Sequence, residues 1–248
     1  MTRQKERTRA DAGFSLIELI IAMGITTLVM GIAATLLAGS LNIRAREDRR
    51  SDAIADTRRA LNAMSRDIAN AGYGLSGFAP GNGIVAAHSG ATGIRIISNR
   101  DRNQTGALTP FAPSSPNEDI VFQLQVEGAP PTQQQYILRY DVNSATNKST
   151  ILANRIDSLF IHYFPQKVVY AYGVDASGVP TCDITDVRNA AGGTVVSEVS
   201  PDAASYVVVS VCVQLPAVGA PNSPGYQPPS RTQLTSDIEL RNAHTSNY

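Results

Sequence analysis

The hydrophobic positions of this chain follow two patterns, and the first occupies one long segment near the start. Residues 14–43 contain a single ionisable side chain, Glu18, and no proline, which favours one continuous apolar helix. A helix rises about 1.5 Å per residue and the hydrocarbon core of a bilayer is about 30 Å thick, so roughly 20 such residues span it. Residues 14–43 are therefore predicted to form a transmembrane helix.

The helix is predicted to continue beyond residue 43 with an amphipathic pattern. The sequence up to residue 72 has good helix formers and no proline, and Gly72 suits a helix C-cap. Ile54, Leu61, Met64 and Ile68 are spaced by 7, 3 and 4 residues and lie on one stripe. That stripe is expected to pack on a globular domain, with a short coiled coil as the alternative.

The second pattern begins after residue 80, where short β-like runs alternate with turn residues. Ile120, Phe122, Leu124 and Val126 alternate with other residues and predict a strand with one apolar face. The run YVVVSVCV at 206–213 is apolar on both faces and predicts a central strand. The candidate strands are residues 93–98, 119–126, 135–141, 158–164, 168–173, 206–215 and 236–240.

These patterns predict an α+β protein with three parts. Residues 1–13 form a basic leader, residues 14–72 the long N-terminal helix with its membrane-spanning first half, and residues 73–248 a head that is mainly antiparallel β structure. The head is expected to be a meander or a two-sheet sandwich. Its Gly-, Pro- and Ser-rich stretches are interpreted as loops within the head and not as linkers between domains.

Charge predicts the orientation of the chain in the membrane. The chain has 21 basic and 21 acidic residues, so no overall field attracts nucleic acid, and the sequence gives no direct evidence for a nucleic-acid partner. The leader carries four basic and two acidic residues, and the positive-inside rule keeps it in the cytoplasm with the head across the membrane. A cleaved secretory signal is the alternative, but its apolar run is usually about 7 to 15 residues and this one is longer.

The junction between leader and helix resembles the processing signature of type IV prepilins. The residues concerned are Gly13-Phe14-Ser15-Leu16-Ile17-Glu18, between a short basic leader and an uninterrupted apolar helix. The resemblance implies a pilin fold, cleavage between Gly13 and Phe14 by a prepilin peptidase, and N-methylation of Phe14. Glu18 matches the family glutamate, which is expected to neutralise the new terminal ammonium during assembly, since a lone carboxylate in hydrocarbon is costly.

A second, narrower resemblance covers residues 66–74, RDIANAGYG, which is similar to the end of the helix in PilW-type minor pilins. It implies a minor pilin of a type IV pilus, assembled through its N-terminal helix and priming assembly or sitting at the tip. The implied partners are other pilin subunits, an inner-membrane assembly platform and the membrane. The implied location is the inner membrane, with the head in the periplasm, before assembly and the pilus or cell surface afterwards.

Two alternatives to the minor pilin remain open. The first is a J-like pseudopilin of type II secretion, which is the same class of protein. The second is a membrane-tethered periplasmic binding protein or enzyme, which would need a concave site with clustered ionisable residues.

The remaining candidate chemistry is sparse. Cys182 and Cys212 either form a disulfide that closes a loop of about 30 residues or remain two buried thiols. His88, His162 and His244 show no ligand spacing, so no metal is expected, and calcium bound by loop carboxylates stays open as the alternative. The glycines of residues 72–77 fit a dinucleotide fingerprint by spacing but follow a helix where the fingerprint needs a strand. The sequence therefore predicts no cofactor and no enzymatic activity.

Overall fold

The structure is a computed structural model that describes residues 15–75, 82–100, 115–129, 133–176, 178–221 and 226–243. The chain divides into two compact units, Met1–Arg46 with Val218–Gln227, and Glu47–Ala217 with Pro228–Tyr248. Helix α1 (Leu16–Ala69) is continuous over 54 residues and contributes to both units. A long apolar helix followed by antiparallel β structure confirms the predicted α+β class.

In the first unit the apolar part of α1 is exposed on every side. Its large apolar side chains retain between 44 and 76% of their accessible surface. No residue of its most apolar 18-residue stretch is buried. The hydroxyls of Thr26 and Thr27 donate back to the carbonyls of Ala22 and Met23, at 2.7 and 2.8 Å. Polar side-chain groups satisfied within the helix are compatible with a hydrocarbon environment.

The first unit also contains part of the loop between the last two strands. Val218 and Gln227 exchange two backbone hydrogen bonds, of 3.0 and 2.9 Å. Arg46 Nη1 donates to Gln227 Oε1 at 2.7 Å, and Arg46 is only 8% exposed. The loop therefore covers α1 just beyond its apolar segment.

In the second unit α1 buries one stripe against the head. Leu61, Met64 and Ile68 lie in the core as predicted, but Ile54 is half-buried and Ala53 takes its place at 3% exposure. The stripe continues through Thr57, which is fully buried and donates to the carbonyl of Ala53 at 2.7 Å. At its N-terminal end the buried stripe is therefore displaced by one position, from Ile54 to Ala53. The stripe packs in a core shared with strands of the same unit, so the coiled-coil alternative is wrong.

Nine strands form two sheets and a hairpin in the described part of the chain. The first sheet is an antiparallel meander of β1 (Gly93–Ile97), β2 (Asp119–Glu127), β3 (Gln134–Asp141) and β4 (Ser149–Asn154), in that order. The second has the order β5 (Ile156–Phe164), β8 (Tyr206–Leu215), β9 (Ser230–Glu239). Strands β6 (Val168–Val174) and β7 (Pro180–Asn189) pair as a hairpin. Two short 3-10 helices are Ala86–His88 and Pro201–Ala203.

The burial of β2 and β8 follows their sequence patterns. Residues 206–213 of β8 are all buried between β5 and β9, which confirms the predicted central strand. In β2, Ile120 and Phe122 are buried and Leu124 packs against the core. Val126 is 44% exposed, so the predicted apolar face of β2 ends one position earlier. It lies beyond the edge of the core that α1 and the second sheet cover.

Strands β4 and β7 were not predicted, and β9 begins six residues earlier than its predicted start at residue 236. The sequence of β4, STILAN, is too short to establish an alternation. Strand β7 begins with a proline and contains Asp183 and Asp186, all unfavourable for strands. Strand β9 starts with polar residues because it pairs on one side with β8 and needs no continuous apolar run.

Candidate functional site: the N-terminal processing and assembly segment

The site lies at the start of α1, and the structure describes it from Ser15 onward. Gly13 and Phe14 lie outside the described residues. The backbone N–H of Ser15 donates to Glu18 Oε2 at 3.1 Å, and the N–H of Leu19 donates to the Ser15 carbonyl at 3.2 Å. Ser15 is thus the N-cap. Glu18 lies at position N3, and its side chain accepts a hydrogen bond from the N-cap N–H, as the N3 glutamate of a capping box does. Its negative charge is also favourable at a helix N-terminus.

Glu18 is exposed and has no cationic partner within the described part of the chain. It is followed by 25 residues without another ionisable side chain. A carboxylate at such a position is stabilised by a nearby positive charge when the helix enters hydrocarbon or packs among apolar helices. The hydrogen bond from Ser15 places the Glu18 carboxylate at the N-terminal end of the helix.

Comparison with known proteins agrees with this geometry. A family model described as the prokaryotic N-terminal methylation motif matches residues 8–34. The match supports a type IV pilin-like protein. It includes Gly13, Phe14, Glu18 and the first part of the exposed helix. No curated protein and no solved structure gives a significant match to the chain.

The motif implies what happens to a pilin-like protein in the cell. It implies processing by a prepilin peptidase and assembly with other pilins in a membrane-associated system. It points to a structural pilin and not to an enzyme. Helix α1 is long and apolar enough to cross a bilayer, which fits inner-membrane anchoring.

At the other end of α1, Asp67 and the residues that follow it fasten the helix to the first sheet. Asp67 is 1% exposed and faces three guanidinium groups: Arg100 Nη2 at 3.2 Å, and Arg139 Nε and Arg66 Nε each at 3.5 Å. The contact with Arg139 is an ion pair without hydrogen-bond geometry, because Asp67 Oδ2 accepts no hydrogen bond from the described residues. Sequence reasoning missed this role of Asp67, since its partners are distant along the chain.

The glycines after Asp67 turn the chain onto the sheet. Gly72 has a φ of 76° and its N–H donates to the Ile97 carbonyl at 2.9 Å. Asn99 N–H donates to the Tyr73 carbonyl at 2.7 Å. A Cβ on Gly83 would lie 1.9 Å from the backbone nitrogen of Gly72, so the two segments pass too closely for a side chain. Gly72 therefore belongs to the end of the helix, three residues beyond Ala69.

The other candidate residues lie in the head. A disulfide joins Cys182 on β7 to Cys212 on β8. His162 Nδ1 is 2.7 Å from Glu198 and its Nε2 is 2.8 Å from Asp183, while His88 is exposed. His244 lies outside the described residues. Among the described residues no group of three His, Cys, Asp or Glu side chains has the geometry to hold a metal ion.

Proposed function

We propose that this protein is a minor pilin of a type IV pilus that primes assembly or occupies the tip. The observation that carries the proposal is the methylation motif at residues 8–34 together with an apolar helix that the other described residues leave uncovered. A helix that is apolar all round needs an apolar surrounding. Lipid supplies it before assembly, and the helices of neighbouring subunits supply it in a filament.

Cleavage between Gly13 and Phe14 and methylation of Phe14 prepare the chain for assembly in this proposal. The new ammonium then pairs with Glu18, of the same or of a neighbouring subunit. Loss of either charge would leave the other unpaired in a region of low dielectric constant, which is strongly unfavourable. The pair thus favours the subunit register in which both charges are neutralised.

The cleavage step is tested by the intact mass and N-terminal sequence of the protein isolated from cells. We expect a mature chain that starts at methylated Phe14. A chain that retains its basic leader, or starts elsewhere, would contradict the proposal. A Gly13 substitution by a bulkier residue is expected to leave the leader attached.

The filament system is tested by deleting the gene and scoring surface piliation and exoprotein secretion in the same strain. A minor pilin predicts loss of piliation with secretion intact. A J-like pseudopilin, which would use the same N-terminal residues, predicts the reverse. As a control, the deletion strain is complemented with the wild-type chain or with a chain that lacks residues 14–43. If only the wild-type chain restores the lost function, the phenotype depends on the helix.

A further inference from the structure

A polar cleft of about 510 Å³ lies in the second unit, at the ends of its two sheets. Its walls come from the start of β3, the junction of β4 and β5, and the end of β8. The volume is within the range of pockets that hold small ligands, about 300 to 1,000 Å³. The cleft is separate from the N-terminal segment in sequence.

Side-chain carboxamides dominate the lining of this cleft. None of the five makes a side-chain hydrogen bond to another described residue. Each offers two N–H donors and a carbonyl acceptor. Neighbouring hydroxyl groups of a sugar also donate and accept, so they can satisfy several amides at once. The five are Gln133, Gln134, Gln135, Asn154 and Gln214.

One unpaired cation stands among these amides. Arg155 is exposed and has no ion-pair partner among the described residues. The acidic residue of the cleft, Asp157, forms an ion pair with Arg231, whose Nε is 3.1 Å from Asp157 Oδ2. The lining therefore has one uncompensated positive charge, which favours a single anionic group in the ligand.

The backbone at Arg155 has a conformation that is unfavourable for a long side chain, which suggests that the arginine is kept there for its charge. Arg155 has a φ of 60°, in the left-handed region that favours glycine. The other described non-glycine residues at positive φ are Cys182, which is held by the disulfide, and three short Asn or Asp residues, which tolerate this region. Glycine would relieve the strain at position 155 but would remove the charge. Strained residues of this kind are concentrated at functional sites.

We propose that the cleft binds an acidic sugar unit. The carboxylate of the sugar pairs with Arg155, its hydroxyls bond to the carboxamides, and the ring of Tyr136 supplies an apolar surface for its C–H face. Tyr136 Oη already donates to Glu127 at 3.2 Å, which leaves the ring as its contribution to the cleft. A nucleic acid is disfavoured because its repeating phosphates need more than one cation. An acidic peptide would satisfy Arg155, but its backbone offers one N–H and one carbonyl per residue, whereas a sugar ring presents several adjacent hydroxyls that each donate and accept.

The proposal is tested by calorimetric titration of the detergent-solubilised full chain with three matched probes. The probes are a tetramer of galacturonic acid, its methyl ester, which keeps the hydroxyls without the charge, and tetra-aspartate, which keeps the charge without the hydroxyls. Tetramers of glucuronic acid and of N-acetylneuraminic acid extend the first probe. We expect at least one sugar acid to bind at least tenfold more tightly than both the ester and the peptide.

Three variants separate the cleft from nonspecific charge effects. Arg155→Gln and Arg155→Gly should each weaken binding of the sugar acid by about ten- to a hundredfold, the usual effect of losing a hydrogen bond to a charged group. Arg155→Gly should also leave the melting temperature unchanged or higher, because it relieves the backbone. Arg58→Gln, at an exposed arginine of α1 without a partner among the described residues, should leave binding unchanged. Binding of no sugar acid, equal binding of tetra-aspartate, or an equal loss in Arg58→Gln would overturn the proposal.

Discussion

The two halves of α1 belong to one uninterrupted helix, yet their side chains have opposite surroundings. Between Leu16 and Ile43 every large apolar side chain is exposed, and Met23 keeps 65% of its surface. From Ala53 onward a narrow stripe is buried, and Met64, the same residue type, is 0% exposed. The first half is apolar on all sides and the second on one side.

The difference shows where each half finds its stabilising contacts. A one-sided stripe can be satisfied by the protein's own sheets, and in the second half it is. An all-round apolar surface finds no covering among the described residues, so its contacts come from lipid or from other molecules. Changes in the first half should therefore alter assembly, and changes in the second half should alter the stability of the head.

The largest effect is expected from Glu18→Ala, which removes the one ionisable side chain of residues 14–43. We expect the variant to be cleaved at Phe14 and to keep a folded head, but to be absent from filaments. The reason is that the terminal ammonium loses its partner in an apolar surrounding. Immunoblots of sheared surface filaments, compared with whole cells, measure this. Glu47→Ala, an exposed acid later on the same helix, is the control, and normal co-purification of Glu18→Ala with filaments would refute the prediction.

A matched pair of methionine changes tests the comparison directly. Met64→Ala should destabilise the head by about 2 to 5 kcal/mol, because it leaves a cavity in the core. Met23→Ala should leave the stability of the head unchanged. All nine tyrosines lie at or after Tyr73, so denaturant unfolding followed by tyrosine fluorescence reports on the head alone. Equal effects of the two changes would contradict the division of α1.

Two aspartates of α1 test the same division for charges. Asp67→Asn should lower the unfolding free energy by about 1 to 3 kcal/mol, because buried Asp67 is the shared partner of Arg100 and Arg139. Asp56→Asn removes an exposed pair with Arg59, at 3.2 Å, and should cost less than about 1 kcal/mol. Denaturant unfolding of both variants measures the difference. If Asp67→Asn left the unfolding free energy unchanged, the apolar stripe alone would hold the helix on the sheet.

The smallest effect is expected at Tyr163, whose hydroxyl donates to the carbonyls of Gly90 and Gly93 at 3.2 and 3.3 Å. Burial raises the pKa of Tyr163. The folded state therefore keeps a proton that the unfolded chain loses near pH 10, and stability falls as the pH rises above about 10. Tyr163→Phe should cost about 1 kcal/mol at pH 7 and lose less stability than the wild type between pH 10 and 12. Urea unfolding at the two pH values checks both statements.

The sequence predicted those parts of the fold that depend on local pattern. The all-apolar run of β8 and the alternation of β2 could be recognised because burial on a sheet selects residues with a period of two or in continuous runs. Strands β4 and β7 were not predicted because they are stabilised by pairing with neighbouring strands and, for β7, by the disulfide, and neither leaves a local pattern in the sequence. Ile54 was misplaced because hydrophobicity alone favours it, whereas the buried stripe continues through the small residues Thr57 and Ala53.

Among the candidate functional residues, too, those marked by a local pattern could be recognised from sequence and those brought together by the fold could not. Glu18 could be recognised from sequence because one acid in an apolar segment is unusual in any context. Asp67 could not, since its partners Arg100 and Arg139 are 33 or more residues away along the chain. The cleft around Arg155 could not be recognised either, because it is assembled from β3, β5 and β8 and no short motif marks it.

Residues that follow β9 close the end of the helix, and this sets an order of events during folding. Asn242 Nδ2 donates to the carbonyl of Ala71 at 2.9 Å across a sequence separation of 171 residues, and Leu240 lies in the core. This contact can form only after the strands between the two residues have been synthesised. Closure of the helix end is thus a long-range step, and contacts of such large sequence separation form slowly because the loop between them must first be closed.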